Sequence, residues 1–481
     1  MKRKGAQRDA MGDRTGPLKI VVLSSSLLTE RMFLFSSFLP TMLKEAEVHL
    51  WTTSTTNISE ATAHPNLRVE AFPAIRPFKE FPYNYLRRLN EYTWDFTQRP
   101  PSRMSMMRHV RDKSVRTHIK ALKAPARLLS ALHLERPLEN WLEKFLLTYD
   151  RSPEARERLR ALMPDVLVSS GTFRYEEPAI VAAAKSLGIP VMALITSWDN
   201  PSTKNRMVFQ YDGYLVWSEQ MQRDMHHFFP QSREVPMYLT GAPQFDVFFQ
   251  ERFTQTREQF CRAQGLDPAL PIILYAMGSP NLFKEHFTVL DLAESVRHGE
   301  LGEAQLLVRP HPVHDDGSEM QRVRNFGGRI VVQQTRQPDH YVANRSQDET
   351  QIVEWVNTFR HAAIVVNFSS TAAIDGAIFD KPIVNLNYDP DPEQSRAGLA
   401  AELNTSWTHF KPIAQSGALW LVNNPREMVE AVRGYLAHPE RHRQERRGIA
   451  QFVCGPLDGQ AGERMARAIV EFARKDSRPR T

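Results

Sequence analysis

Residues 165–200 read "DVLVSSGTFRYEEPAIVAAAKSLGIPVMALITSWDN", and their pattern decides the fold. Val166 to Ser170 is a short apolar run ending in hydroxyls, and a helix is expected from about Glu177. Pro178 suits its first turn, where a missing N–H costs nothing, Gly188 suits its stop, and Pro190 introduces a second strand, Val191 to Ile195. Strand, amphipathic helix and strand in succession are the signature of a parallel sheet covered on both faces.

The same alternation runs in both directions from this unit. "KIVVLSSS" from Lys19 and "VHLWTTS" from Val48 precede it, while "GYLVW" from Gly213 and "MYLTG" from Met237 follow. A polar, helical-looking connection, "FDVFFQERFTQTREQFCRAQGLDP", then interrupts the pattern, which restarts at Pro271 with "PIILYAMGSP". "LLVRPHP", "RIVVQQ", "AIVVNFSS", "PIVNLNYD" and "ALWLVNN" supply a second parallel sheet. The expected organisation is a disordered basic start (1–16), a first Rossmann-like domain (17–245) with a basic helical insertion at about 76–150, and a linker (246–270). A second Rossmann-like domain (271–455) and a C-terminal helix with a basic tail, crossing back over 456–481, complete it.

At 481 residues the chain is too long for one core, and 42% hydrophobic with 24% charged residues is the composition of a folded protein. Two cysteines, Cys261 and Cys454, exclude a disulfide framework and a cysteine-based zinc site, which fits a reducing, cytoplasmic setting. Neither a signal-peptide core nor an uncharged run of about 18 apolar residues is found. The net charge of +6 predicts anionic partners. Between Arg99 and Arg127 nine Lys/Arg residues face one acid, after Tyr92, Trp94 and Phe96 and with Met104, Met106 and Met107 interleaved. Residues 92–127 therefore read either as a surface for anionic membrane at the inner face of the plasma membrane or as a solvated helical face. Nucleic acid is not expected as a partner, since neither a "KGFGFV"-like strand nor a GXXG loop accompanies the charge.

Open parallel sheets bind ligands beyond the carboxyl ends of their strands. "NFSSTAAIDGAIFDKPIVNLNYD", residues 367–389, places Ser369, Ser370 and Thr371 at such an end, just before a helix. Unpaired N–H groups and the helix dipole attract phosphate there, and the hydroxyls extend the donor set; an ordinary N-cap is the plainer alternative. Asp375, one turn beyond Thr371, is placed to accept from ribose hydroxyls. Arg309 offers paired donors to phosphate and His311 a donor to a departing oxygen, both directly after an apolar strand. Gly278 and Ser279 could bring backbone N–H groups to a diphosphate. Asp389-Pro390-Asp391 spells a metal-binding DxD but reads more simply as a proline-rich turn, so neither a metal nor another cofactor is expected beyond the nucleotide co-substrate.

"RPHP", followed about 60 residues later by "NFSSTAAIDGAIFDKPIV", resembles the nucleotide-binding half of bacterial GT-B enzymes around the CDP-glycerol glycerophosphotransferases and UDP-N-acetylglucosamine 2-epimerase-like glycosyltransferases. "SWDNPSTKN", "YLVWSEQM" and "LTGAPQFD" are similar to members of that group associated with surface polysaccharide. The resemblance implies that Ser369 and Ser370 contact the donor pyrophosphate, Asp375 the ribose, and His311 the donor phosphate or leaving group. Where glycerophosphotransferases carry Trp-His-Gly, this chain reads Ser197-Trp198-Asp199-Asn200, which counts against polyol-phosphate transfer.

Sugar transfer needs a base near the acceptor hydroxyl. Asp199 and Glu176 each lie just past a strand of the first domain and are the candidates, the plainer roles being an Asx turn and a helix cap. The expected function is metal-independent glycosyl transfer from a nucleotide-diphosphate sugar to a glycan or glycolipid acceptor. A CDP-polyol phosphotransferase, a nucleotide-sugar 2-epimerase and a catalytically silent binding partner of a polysaccharide assembly complex remain the alternatives.

Overall fold

The computed structural model describes residues 17–53, 64–77, 79–109, 117–174, 176–280, 282–311, 318–334, 349–391, 393 and 396–476. The expected disordered start, 1–16, lies outside them. Two wholly parallel sheets are present. The first contains β1 (Leu18–Ser24), β2 (Ala46–Thr52), β3 (Leu67–Ala71), β4 (Val166–Ser169), β5 (Val191–Leu194), β6 (Gly213–Val216) and β7 (Met237–Leu239), in the order β3-β2-β1-β4-β5-β6-β7. The second contains β8 (Ile272–Ala276), β9 (Gln305–Arg309), β10 (Ile330–Val332), β11 (Ile364–Asn367), β12 (Ile383–Leu386) and β13 (Trp420–Val422), in the order β10-β9-β8-β11-β12-β13. This is the GT-B arrangement of two doubly wound domains. Each sheet reverses its winding at one place, between β1 and β4 and between β8 and β11, which opens a crevice at the carboxyl ends of those strands.

Every residue of β4, β5, β6, β8, β11 and β12 is buried, because helices cover both faces of the sheets, and this explains the uninterrupted Val/Ile/Leu runs. β3 escaped the sequence reading. It is an edge strand whose Arg68 and Glu70 break any apolar run, and edge charges discourage pairing with further strands.

The segment 246–270 is more than a linker helix. It passes through 3-10 turns at Pro243–Phe249 and Glu251–Phe253 to a short helix, Arg257–Gln264, started by a Thr256/Gln259 capping box. Phe248 packs on Trp355 (4.4 Å between ring centroids) and Phe379 (4.6 Å), so the connection itself forms part of the core between the domains.

Helix Ala461–Asp476 returns to the first domain against helix Phe38–Met42. Asp246, buried, holds the junction by accepting from Ser37 N–H (3.2 Å) and Oγ (2.7 Å), Ala461 N–H (3.0 Å) and Gly462 N–H (2.9 Å). A carboxylate at a helix N-terminus meets both the free amides and the positive end of the dipole. Asp246→Ala should therefore lower unfolding stability by about 3 kcal/mol, measured as a shift in urea midpoint, with Asp246→Asn costing less.

Candidate functional site

At the β11 end, Ser370 takes up extended backbone and caps helix Thr371–Ile378, its Oγ accepting from Ala372 N–H (3.3 Å) and Asn367 Nδ2 (3.2 Å). Ser369 donates its N–H to Asn385 Oδ1 (2.8 Å) and its hydroxyl to Asn404 Oδ1 (2.9 Å). Asparagines thus set the hydroxyl run in place, and Ser369, Ser370 and Thr371 stay part-exposed. Ser370 fulfils the plainer N-cap role: besides the Ala372 N–H on its hydroxyl, its carbonyl accepts the Ala373 N–H (3.0 Å), so in this conformation both amides are engaged within the helix start.

At the β8 end the Gly278 amide donates to Glu285 Oε1 (2.8 Å), so in this conformation it is committed to a carboxylate. A Cβ at Gly278 would lie 2.9 Å from that oxygen, which accounts for the glycine. Burial pushes Glu285 up to about 8 against the pull of this amide and of Tyr275. Ser279, part-exposed, accepts the Leu282 N–H in the turn that follows. Arg309, half-buried at the end of β9, is held below its ordinary pKa by burial, with Glu354 and Asp375 opposing. His311 stands two residues beyond, half-buried.

Asp375 is 7% exposed and accepts from Trp355 Nε1 (3.1 Å), while its Oδ1 has no hydrogen-bond partner among the described residues. Burial raises it to about 6, against the Trp355 hydrogen bond and the charges of Arg31 and Arg309. Arg31 belongs to the first domain. Its guanidinium lies 4.0 Å from the Trp355 ring centroid and donates to Gln244 Oε1 (2.9 Å).

The first domain contributes the loop after β5. Asp199 accepts from Ser197 Oγ and from Thr203 Oγ1 (2.7 Å). Burial would raise it, but Lys204, His409 and those two hydroxyls prevail and hold it below the usual aspartate value. The neighbouring Trp198 is buried, with Nε1 3.4 Å from Thr371 Oγ1 and its ring 4.9 Å from that of His409. Hence the Asp199 loop and the hydroxyl run, predicted separately, meet across the domain boundary. His409 Nδ1 lies 3.2 Å from Ser202 Oγ, and burial drops its pKa to about 4 despite Asp199, with Lys204 adding to the drop.

Glu176 is placed differently. Its side chain is 43% exposed and pairs with Arg174 at 3.3 Å. The adjacent Glu177 is fully buried and accepts from Ser25 Oγ (2.6 Å), Ser169 Oγ (2.7 Å) and Gly171 N–H (2.7 Å), tying β1 to β4 at the first sheet's switch point. Asp389 and Asp391 sit in a turn whose Asp391 faces Lys284 (3.4 Å). Among the described residues no group of three or more His, Cys, Asp or Glu side chains is arranged to hold a metal, and no helix is long and apolar enough to cross a membrane.

Sequence reasoning missed Arg31, Glu177, Trp355 and His409. Glu177 alone carried a local signal, an acid in the first turn of a helix that directly follows a strand.

Residues 183–471, more than half of the chain, match the model of the CDP-glycerol:poly(glycerophosphate) glycerophosphotransferase family. No curated protein matches the chain significantly in sequence. Among solved structures it is similar to a UDP-N-acetylglucosamine 2-epimerase (TM-score 0.53, 11% identity, covering 96% of this chain and 97% of that one). It is also similar to Staphylococcus aureus MnaA solved with UDP (0.52, 10%, 95% and 97%) and to the Neisseria meningitidis UDP-GlcNAc 2-epimerase bound to UDP-GlcNAc (0.51, 11%, 94% and 100%). At such identities the likeness is one of fold.

The buried neutral His409 gives a pH test. Between its ordinary value near 6.5 and its folded value near 4, the unfolded chain takes up a proton that the folded chain refuses, so stability falls as pH falls through that window. Wild type should lose up to about 3 kcal/mol more than His409→Gln between pH 7 and pH 4, read as the difference between their melting-temperature profiles. Parallel profiles would mean that the imidazole is not held neutral.

Proposed function

Because the chain belongs to the CDP-glycerol:poly(glycerophosphate) glycerophosphotransferase family, we infer that it is a transferase whose second domain holds a nucleotide-diphosphate-linked donor and whose first domain presents an acceptor hydroxyl. The observation that carries this reading is the meeting of the Trp198–Asp199 loop with the capped, hydroxyl-bearing start of helix Thr371–Ile378. An ionised carboxylate stands on one side of that meeting and phosphate-binding chemistry on the other.

In the proposed reaction Asp199 takes the proton from the acceptor hydroxyl as its oxygen attacks the sugar C1. The bond from C1 to the diphosphate oxygen breaks, and the electron pair leaves with the nucleoside diphosphate. The positive end of helix Thr371–Ile378 and the hydroxyl proton of Ser370, together with Arg309 and His311, stabilise that departing charge, so the reaction needs no metal. The donor is a nucleotide-sugar and the acceptor a glycan or glycolipid of a surface polysaccharide, met at the inner face of the membrane. Glycerol-phosphate transfer is the second reading, favoured by the family match itself, whereas Asp199 in place of the Trp-His-Gly histidine favours sugar transfer.

Product analysis separates the two. Sugar transfer releases a nucleoside diphosphate, and polyol-phosphate transfer releases a nucleoside monophosphate. Asp199→Asn should lower turnover by about 100-fold or more while leaving the thermal shift given by the donor nucleotide intact, and Ser370→Ala should diminish that shift. Turnover undiminished in Asp199→Asn, or no shift with any nucleotide, overturns the reading.

A further inference from the structure

β8 and β11 are neighbours in the second sheet, with Tyr275 opposite Val366. Gly278 and Ser369 each lie three residues beyond that pair, so the glycine stands beside the hydroxyl run at the sheet's switch point. Phe283 stacks on Phe368 (4.6 Å between ring centroids), which ties the turn after Gly278 to the residue preceding Ser369.

An amide in that position suits a phosphate oxygen, yet a carboxyl group already fills it. Glu285, 2% exposed at the start of helix His286–Arg297, takes the Gly278 N–H on Oε1 (2.8 Å). A Cβ added to Gly278 would stand 2.9 Å from the same oxygen, so the space over the glycine is taken together with its donor.

Among the described residues no cation pairs with that carboxyl group. Its chain neighbour Lys284 turns instead to Asp391 (3.4 Å) and Glu393 (3.6 Å). The titratable groups around it are Tyr275 of β8 and, next to that, Tyr388 beyond β12, both raised by burial and so neutral, with Asp291 of its own helix near Tyr388. Burial accordingly raises Glu285 to about 8. Its Oε2 is buried without a hydrogen-bond partner among the described residues, and so are the hydroxyls of Tyr275 and Thr288. Glu285 and Thr288 are both close enough to act on the Tyr275 hydroxyl.

We propose that Glu285 is a positioning residue that keeps the donor's place at the Gly278 amide: a nucleoside diphosphate enters by displacing its carboxyl group, and only the protonated form is displaced. An ionised carboxyl turned off the amide would stay buried beside the diphosphate with no partner, which is costly. A protonated one donates its O–H to the Tyr275 oxygen, Tyr275 donates in turn to Thr288 Oγ1, and the Gly278 N–H passes to a phosphate oxygen. Where Glu285 starts ionised, binding therefore takes one proton from solvent. Affinity is level below about pH 8 and falls as pH rises above it, by up to about ten-fold per pH unit. The proposal rests on the reading that the second domain holds a nucleoside diphosphate, and deepens it by naming the residue that admits the diphosphate.

Full-length protein is titrated calorimetrically with UDP, CDP, ADP and GDP from about pH 7.5 to about pH 9.5, above the last ionisation of the phosphates. Wild type should bind its preferred nucleotide at least about ten-fold more weakly at the upper end, with a heat that depends on the buffer because a proton is taken up. Glu285→Gln keeps an acceptor for the Gly278 N–H but has no proton to gain, so its affinity should stay level and its heat should not depend on the buffer. Tyr275→Phe removes a hydroxyl that has no partner in the free protein, so it should melt like wild type and bind about five-fold more weakly at pH 7.5. Parallel profiles for wild type and Glu285→Gln, or a Tyr275→Phe protein that binds like wild type, overturn the role of Glu285 and leave the donor reading standing. Binding of no nucleotide by any of the three proteins overturns both.

Discussion

The indole of Trp355 carries a cation on its face and an anion at its edge, and the relation between the two domains depends on that pair. Arg31 comes from the first domain, rests on the ring, and is almost wholly withdrawn from water. A desolvated guanidinium costs several kcal/mol unless partners repay it, and here the repayment is shared among the ring, Gln244 and the field of Asp375. Asp375 lies on helix Thr371–Ile378, whose first turn bears the hydroxyls of the candidate site. Domain closure, the charge of Asp375 and the setting of that helix are consequently one electrostatic problem. An altered Arg31 would leave a buried carboxylate short of compensation and a gap between the domains.

Elsewhere the chain repeats another device, a buried carboxylate that accepts backbone amides. Glu177 takes the Gly171 N–H beyond β4, Glu285 takes the Gly278 N–H beyond β8, and Asp246 takes Ala461 and Gly462 at the returning helix. Each fixes a loop or terminus at a place where strand geometry alone would leave N–H groups unsatisfied. Burial raises all three carboxyls, so the hydrogen bonds keep in place groups that would otherwise prefer water. Among them Glu285 occupies the Gly278 amide, the one that a diphosphate would have to win from it under the proposed function.

The two sheets were legible in the sequence because a parallel strand buried on both faces must be written almost wholly in Val, Ile, Leu and Ala. Edge strand β3 was not, because its Arg68 and Glu70 meet solvent and carry no such constraint. The positions of the hydroxyl run, Arg309 and Asp199 at or just past strand ends could be read for a related reason: the ends of such strands can be located. Arg31, Trp355 and His409 acquire their roles only from packing between domains, and nothing within a few residues of any of them records that contact. Glu176 and Glu177 mark the limit of local reading. They are chain neighbours at a helix start, yet one pairs with Arg174 in part-solvent while the other vanishes into the sheet edge.

The basic insertion does more than decorate the first domain. Helix Pro101–His109 reaches across to helix Leu399–Thr405 of the second, where Glu402 meets Arg108 (2.8 Å) and His109 (3.1 Å). Burial works against that carboxylate, but the hydrogen bonds from His109 and Arg108 hold it down at about 2, so the contact stays charged at any ordinary pH. Two residues along the same helix, Asn404 receives the Ser369 hydroxyl. A continuous set of contacts therefore runs from the insertion to the hydroxyl run. The two domains are in this way joined by charge at the insertion, as Arg31 joins them inside.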